Sequence, residues 1–257
     1  MTQIKLLTGA ILEMRKLKLH DVDFILAAKP RAFLSALIST LSNCTIDVID
    51  PGIYTNPFDW RKVYEGDWFD ALFQLRALSL GDDYDFQIRC PRHRCQEKTE
   101  VSFILSNLKR KLPTKEMLAT LAEKRNRFVV PFSCGSVEIL QPTAEEAIAI
   151  ANARRTNNIS ARKTDGEGDG DKEESISNAL QTKILKIIIE HETLEGQKKN
   201  AYLDDLDMDL SSELMALIEE NIFGVELELE VDCPACKEVI EFNLPMAKTF
   251  FLRKKRK

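Results

Sequence analysis

Two short stretches of this sequence bring thiols close together. In IRCPRHRC, Ile88 to Cys95, four residues separate Cys90 from Cys95 and one of them is His93; in VDCPAC, Val231 to Cys236, two residues separate Cys233 from Cys236. Paired thiolates at such spacing are ligands for a soft metal, zinc above all. A closed structural zinc site takes four donors in a tetrahedron, and one turn supplies only two. Two hooks supply four, so the sequence predicts one structural zinc per chain, held by Cys90, Cys95, Cys233 and Cys236. His93 lies at the ordinary two-residue spacing from Cys90 and is open as a substitute for Cys95. The two remaining cysteines, Cys44 and Cys134, stand alone and read as small buried hydrophobes.

Other chemistry fits these residues less well. A thioredoxin-type redox pair sits at a helix N-terminus, which lowers a thiol pKa, whereas both hooks fall in turns between strand patterns. A catalytic zinc needs an open coordination position and a nearby general base, and four protein ligands leave no such position. His20 begins one helix pattern and His191 ends another, where a cation suits the dipole. The sequence has no Gly-rich phosphate loop, nucleophile elbow or metalloprotease helix. The expectation is a protein that is not an enzyme.

The elements that must carry the hooks are written twice. Aligning Gly81 with Gly224 lays GDDYDFQIRCP over GVELELEVDCP, because Cys90 and Cys233 each lie nine residues after their glycine. Past the hooks Glu97 falls on Glu238, Glu100 on Glu241 and Phe103 on Leu244, so the two-residue excess is confined to the first turn. Leu227, Leu229 and Val231 alternate with Glu226, Glu228 and Glu230, and apolar residues resume at Val239, Ile240 and Phe242. That alternation predicts a β-hairpin whose tip carries two thiols.

A second echo precedes each hairpin. LLTGAILEMRKLKLHDVDFILAA and VPFSCGSVEILQPTAEEAIAIANA share a strand, a glycine, a second strand and an acidic helix start. Thr143 and Glu146 have the spacing of a capping box, and Asp21 marks a weaker copy. Helical stripes follow, at Phe33, Leu34, Leu37, Ile38 and Leu41 in one case and at Ile176, Leu180, Ile184, Ile187 and Ile188 in the other. DWFDALFQLRALSL and SSELMALIEENIF then lead into the two glycines. The fold class expected is α+β, with two pseudo-duplicated halves, residues 1–112 and 113–257. Each half is a β-hairpin, helices and a zinc-knuckle β-hairpin.

The second half is longer by 17 residues between its glycines, and RKTDGEGDGDKEES accounts for the excess. Residues 163–175 have nothing apolar to bury and read as a flexible acidic linker. Asp165, Glu167, Asp169 and Gly170 have the steps of a calcium loop, but Ile176 stands where its closing acid belongs. The basic run at 253–257 is open to two readings, a solvated end or a dock for an acidic neighbour.

Composition bounds the class. The chain has 257 residues, 44% hydrophobic and 30% charged, enough for a large buried core. A formal charge of −5 gives no general case for nucleic acid as a partner. No apolar run is long enough to span a bilayer, and the N-terminus lacks a signal-peptide core. Six cysteines in a reducing compartment argue against a disulfide scaffold, and a cytosolic chain is expected.

The order of LSLGDDYDFQIRCPRHRCQEKTEVSF, QPTAEE and IFGVELELEVDCPACKEVIEFNL resembles the T4-type phage baseplate protein family, components of contractile-tail baseplates. The resemblance spans nearly the whole chain, with the hooks and their flanks its specific part. It implies a virion structural protein of the baseplate hub or wedge, or a tail-assembly factor. Partners would be other baseplate, hub or tail proteins, and the location would be the virion or the host cytoplasm during assembly. The wider first hook departs from the family's CPxC form and keeps the choice between Cys95 and His93 open.

The principal alternative is a zinc-ribbon nucleic-acid-binding or regulatory protein. It requires basic residues around the hooks. The first hook has Arg89, Arg92, His93 and Arg94, but the second is flanked by Glu228, Glu230, Asp232 and Glu238, which repel phosphate.

Overall fold

The computed structural model describes residues 2–92, 94–124, 127–132, 135–150, 185–186, 189–190, 196–246 and 248–252. The predicted linker at 163–175, the basic run at 253–257 and the stripe from Ile176 to Ile188 lie outside these, save for residues 185 and 186. The described chain is α+β.

Strands β1 (Thr2–Lys5) and β2 (Ile11–Met14) form a hairpin around Gly9, whose φ of 102° closes the turn at little steric cost. Helix α1 (Leu19–Ala27) follows, and Asp21 accepts the Lys18 N–H at 2.8 Å across its first turn. Arg15 grips the same buried carboxylate with both terminal nitrogens, at 2.6 and 3.1 Å. Helix α2 (Phe33–Cys44) buries Leu37, Ile38 and Leu41, the stripe its sequence spells out. Strand β3 (Thr45–Asp50) then returns to pair with β2, giving a sheet in the order β1-β2-β3.

Helix α3 (Glu65–Leu80) is the centre of the molecule. It buries Trp68, Ala71, Leu72, Phe73 and Leu75 together with the polar Asp67, Asp70 and Arg76, so it is covered around most of its circumference. Acidic residues Glu65 and Asp67 in its first turn favour the N-terminal end of the dipole, and Gly81 at φ 99° ends it. The first hooked hairpin follows, β4 (Asp83–Arg89) with β5 (Lys98–Ile104).

A short strand β6 (Arg110–Lys111) and helix α4 (Lys115–Lys124) follow. Strands β7 (Arg127–Phe132) and β8 (Gly135–Leu140) form a hairpin, and β9 (Ile189–Glu190) pairs with β8, again giving sequential order in a three-stranded sheet. A helical stretch spans 144–150, its start held by the Glu146 carboxylate, which accepts the Thr143 N–H at 2.7 Å. The Thr143 hydroxyl donates to that same carboxylate, so one side of the predicted capping box is present and the hydroxyl is turned the other way. Helices α5 (Gly196–Asp204) and α6 (Met208–Asn221) lead through β10 (Gly224–Val225) to the second hooked hairpin, β11 (Glu228–Asp232) with β12 (Val239–Asn243).

The main core draws on distant parts of the chain. Around α3 it gathers Leu12, Met14, Ile25 and Leu41 from the first sheet and helices, and also Ala144, Leu244, Phe250 and Phe251. Phe250 meets Phe73, Tyr84 and Phe251 edge to face, and the Arg76 guanidinium lies 5.5 Å over both the Tyr84 and Phe250 rings. A separate cluster of Leu185, Ile189, Leu203, Leu214 and Ile218 serves the later helices. The chain after α6 comes close to the start of α3: a Cβ on Gly66 would sit 2.3 Å from the Phe223 carbonyl oxygen and 2.9 Å from Gly224 Cα. Only glycine permits that approach.

Candidate metal centre

Both hooks are tips of antiparallel hairpins, built the same way despite unequal length. The last ladder pairs are Arg89 with Lys98 and Asp232 with Val239, so the first cysteine of each hook directly follows a strand. Cys90 N–H donates to the Glu97 carbonyl at 2.9 Å and Cys233 N–H to the Glu238 carbonyl at 2.8 Å. Among the described residues, the non-glycine residues with positive φ are Gln96 at 50° and Lys237 at 61°. Each immediately follows the second cysteine of its hook, where the left-handed turn swings the chain back into the strand.

The hairpins lie side by side. Phe86 on β4 meets Phe242 on β12 at 5.7 Å between ring centres, and Ile88, Val231 and Ile240 close the space behind the sulfurs. At the tips the Sγ atoms of Cys90, Cys95, Cys233 and Cys236 all lie within 4.8 Å of one another. Two of the separations cross between hooks at 3.7 Å, Cys90 to Cys236 and Cys95 to Cys233. A tetrahedron with Zn–S bonds of about 2.3 Å has sulfur–sulfur edges of about 3.8 Å. A disulfide would need about 2.05 Å. The four sulfurs therefore lie close enough to hold one metal ion, and the two cross-hook separations are compatible with zinc.

Backbone dipoles are aimed at the same point. The N–H groups of Arg92, Glu97 and Glu238 bond to the sulfurs of Cys90, Cys95 and Cys236, in each case from two residues further along. The Glu238 N–H leads in bringing the Cys236 thiol down to about 7. At Cys90 the Arg92 N–H acts in the same direction, but desolvation and the surrounding sulfurs prevail and push that thiol up to about 12. The Cys236 thiolate forms readily while the Cys90 and Cys95 thiols are pushed up, so gathering thiolates in this space calls for a cation among them.

Side chains at the rim join the hooks further. Arg92 reaches Glu238 of the opposite hook at 3.4 Å, so the contrast between a basic first hook and an acidic second one is partly satisfied within the molecule. His93 lies outside the described residues, as do Cys134 and His191. Cys44 is fully buried between α2 and α1, and desolvation raises its thiol to about 11, as suits a core residue. His20 is exposed on α1, 3.3 Å from Asp21.

Sequence reasoning missed a second polar focus, away from the hooks. Asp67 in the first turn of α3 is fully buried and accepts the Thr8 N–H at 3.1 Å, the Thr8 hydroxyl at 2.5 Å and the Tyr54 hydroxyl. Desolvation raises its carboxyl to about 6 against those hydrogen bonds. It ties the tip of the first hairpin and the 51–64 segment to the central helix. The available signal was a pair of acids three residues apart, Asp67 and Asp70, inside the apolar helical run DWFDALF.

Among the described residues no helix is long and apolar enough to cross a membrane. Comparison with curated proteins and with solved structures finds no significant match. The family described as T4 bacteriophage base plate protein matches residues 2–252, which takes in both hooks, both three-stranded sheets and the central helix. The chain belongs to the T4-type phage baseplate proteins.

Proposed function

We propose that this baseplate protein serves in the hub region of a contractile tail, as a permanent subunit or as a factor that helps the hub assemble. In this reading one zinc ion per chain, bound by Cys90, Cys95, Cys233 and Cys236, clamps two related halves, residues 1–112 and 113–257. The observation that carries it is the convergence of four sulfurs within 4.8 Å, two from each of two hairpins far apart in sequence. The role is structural rather than enzymatic, because four cysteines fill a tetrahedral shell and leave no position for substrate or water. Its partners are other baseplate, hub or tail proteins, and it acts in the virion or in the host cytoplasm during assembly.

Several correspondences support the halves as copies of one unit. Both sheets run in sequential order, both long helices lead to a glycine before a hooked hairpin, and both hooks have a left-handed residue after the second cysteine. Elemental analysis of protein purified without added zinc tests the clamp. One zinc per chain is expected, and a metal-free chain with free thiols would remove it. For the hub role, the protein is expected in purified tails at a fixed copy number or in hub intermediates; presence in neither would overturn that assignment.

A further inference from the structure

Each hook presents one covered and one accessible sulfur. Cys90 and Cys233 are buried, at 1% and 0% exposure, whereas Cys95 and Cys236 are partly open to solvent. The short separations join these classes across the hooks: accessible Cys236 is 3.7 Å from covered Cys90, and accessible Cys95 is 3.7 Å from covered Cys233. A small oxidant reaches the outer sulfur of one hook first, and an inner sulfur of the other hook stands 3.7 Å from it, in contact and ready to reduce it.

We propose that the four-sulfur centre is also an oxidation site, at which a peroxide expels the metal and links the hooks through two disulfides, Cys90–Cys236 and Cys95–Cys233. The outer thiolate attacks one peroxide oxygen, the O–O bond breaks, and the departing hydroxide takes a proton to become water. The resulting sulfenic acid is attacked by the inner sulfur of the opposite hook. An S–S bond forms, the S–O bond breaks, and the hydroxyl leaves as water after protonation. For the whole centre, one zinc tetrathiolate, two hydrogen peroxide molecules and four protons give two disulfides, one Zn²⁺ and four waters.

The pairing decides what survives the metal. Bridges within hooks would close loops of a few residues and leave the hairpins unconnected. Bridges between hooks join residues 146 and 138 positions apart, so the connection made by the metal is taken over by covalent bonds. Loops of that length remove far more freedom from the unfolded chain than a short turn does.

The metal-release step rests on the shared-zinc reading, whereas the pairing rests on sulfur geometry alone. The test treats the full chain, zinc loaded, with increasing hydrogen peroxide. Zinc release is followed with a chromophoric chelator, and disulfides are mapped by proteolysis and mass spectrometry after blocking free thiols. The expected result is loss of one zinc together with four thiols, and peptides joining Cys90 to Cys236 and Cys95 to Cys233. Bridges from Cys90 to Cys95 and from Cys233 to Cys236, or sulfinic acids without bridges, would overturn the proposal. A chain that contains no zinc at the outset sinks the clamp, and the same peptide map on it still decides the pairing. As a second variant, Cys90→Ser with Cys236→Ser is expected to form the Cys95–Cys233 bridge alone, and failure to form it counts against the geometry.

Discussion

The region around α3 and the region around the hooks hold together by different means. Around α3, Trp68, Leu72, Phe73 and Phe250 are buried among dozens of apolar neighbours, and the polar groups there, Asp67, Asp70 and Arg76, have hydrogen-bond partners. At the hooks, the fully buried side chains are Cys90, Cys233 and Ile240. Two of the three are sulfurs. A two-stranded hairpin is marginal by itself, and so thin a cluster adds little burial. The core is held by area, whereas under the proposed clamp the tips depend on the metal. The two regions should accordingly fail separately.

The largest expected effect comes from the tips. Bound zinc contributes on the order of 10 kcal/mol to folding in small modules. Cys233→Ser or Cys90→Ser should therefore lose several kcal/mol in chemical denaturation, and the double variant should be no worse than either one. Unchanged denaturation midpoints for both would show that the tips need no metal. Next, Phe250→Ala should cost about 3–5 kcal/mol, as large aromatic truncations do, while zinc content stays at the wild-type level. Loss of metal on that substitution would break the separation between the regions.

A smaller effect belongs to Asp67. Its folded carboxyl, at about 6, lies above the ordinary value of 3.8, so the folded state holds the proton more tightly than the unfolded one. The stability it contributes is present in full below about pH 4 and is lost as pH rises through 6, with a span on the order of 2–3 kcal/mol. Asp67→Asn should flatten that part of the pH–stability curve, and a curve parallel to wild type between pH 4 and 7 would refute the linkage. Smallest is Arg92→Ala. An exposed pair is worth about 1 kcal/mol or less, so thermal melting should shift little and zinc content not at all.

Much of the hook region was legible because its signals are local. The strand alternation of LELEV, the thiol spacing and the shared nine-residue offset from glycine all lie within a few residues of one another. The convergence of the two hooks on one point also follows from ligand count, since neither can fill a tetrahedron alone. What escaped is non-local or unpatterned. Strand β3 carries the β-branched run Thr45, Ile46, Val48 and Ile49, yet its Asp47 and Asp50 break the alternation of a half-buried strand. Asp67 and Thr8 are 59 residues apart, and Arg76 meets Phe250 across 174. No period in the sequence announces such pairs. The closeness of Gly66 to Gly224 is equally silent, because a residue that lacks a side chain carries no hydropathy to read.

The two-residue strands β6 and β10 look minor, but their position gives them weight. Gly224 pairs with Lys111 and Val225 with Arg110, immediately after the first hooked hairpin and immediately before the second. The hairpins are thus fastened at their roots before their tips are considered. Such tethering replaces the dilute encounter of two distant chain segments with a high effective concentration of one hook about the other. Under the proposed clamp, a metal ion captured by either pair of thiols would find the remaining two already gathered, and the last two bonds would form as an intramolecular closure. On the shared-zinc proposal, the affinity of the site would be set as much by this short ladder at the base as by the cysteines at the top.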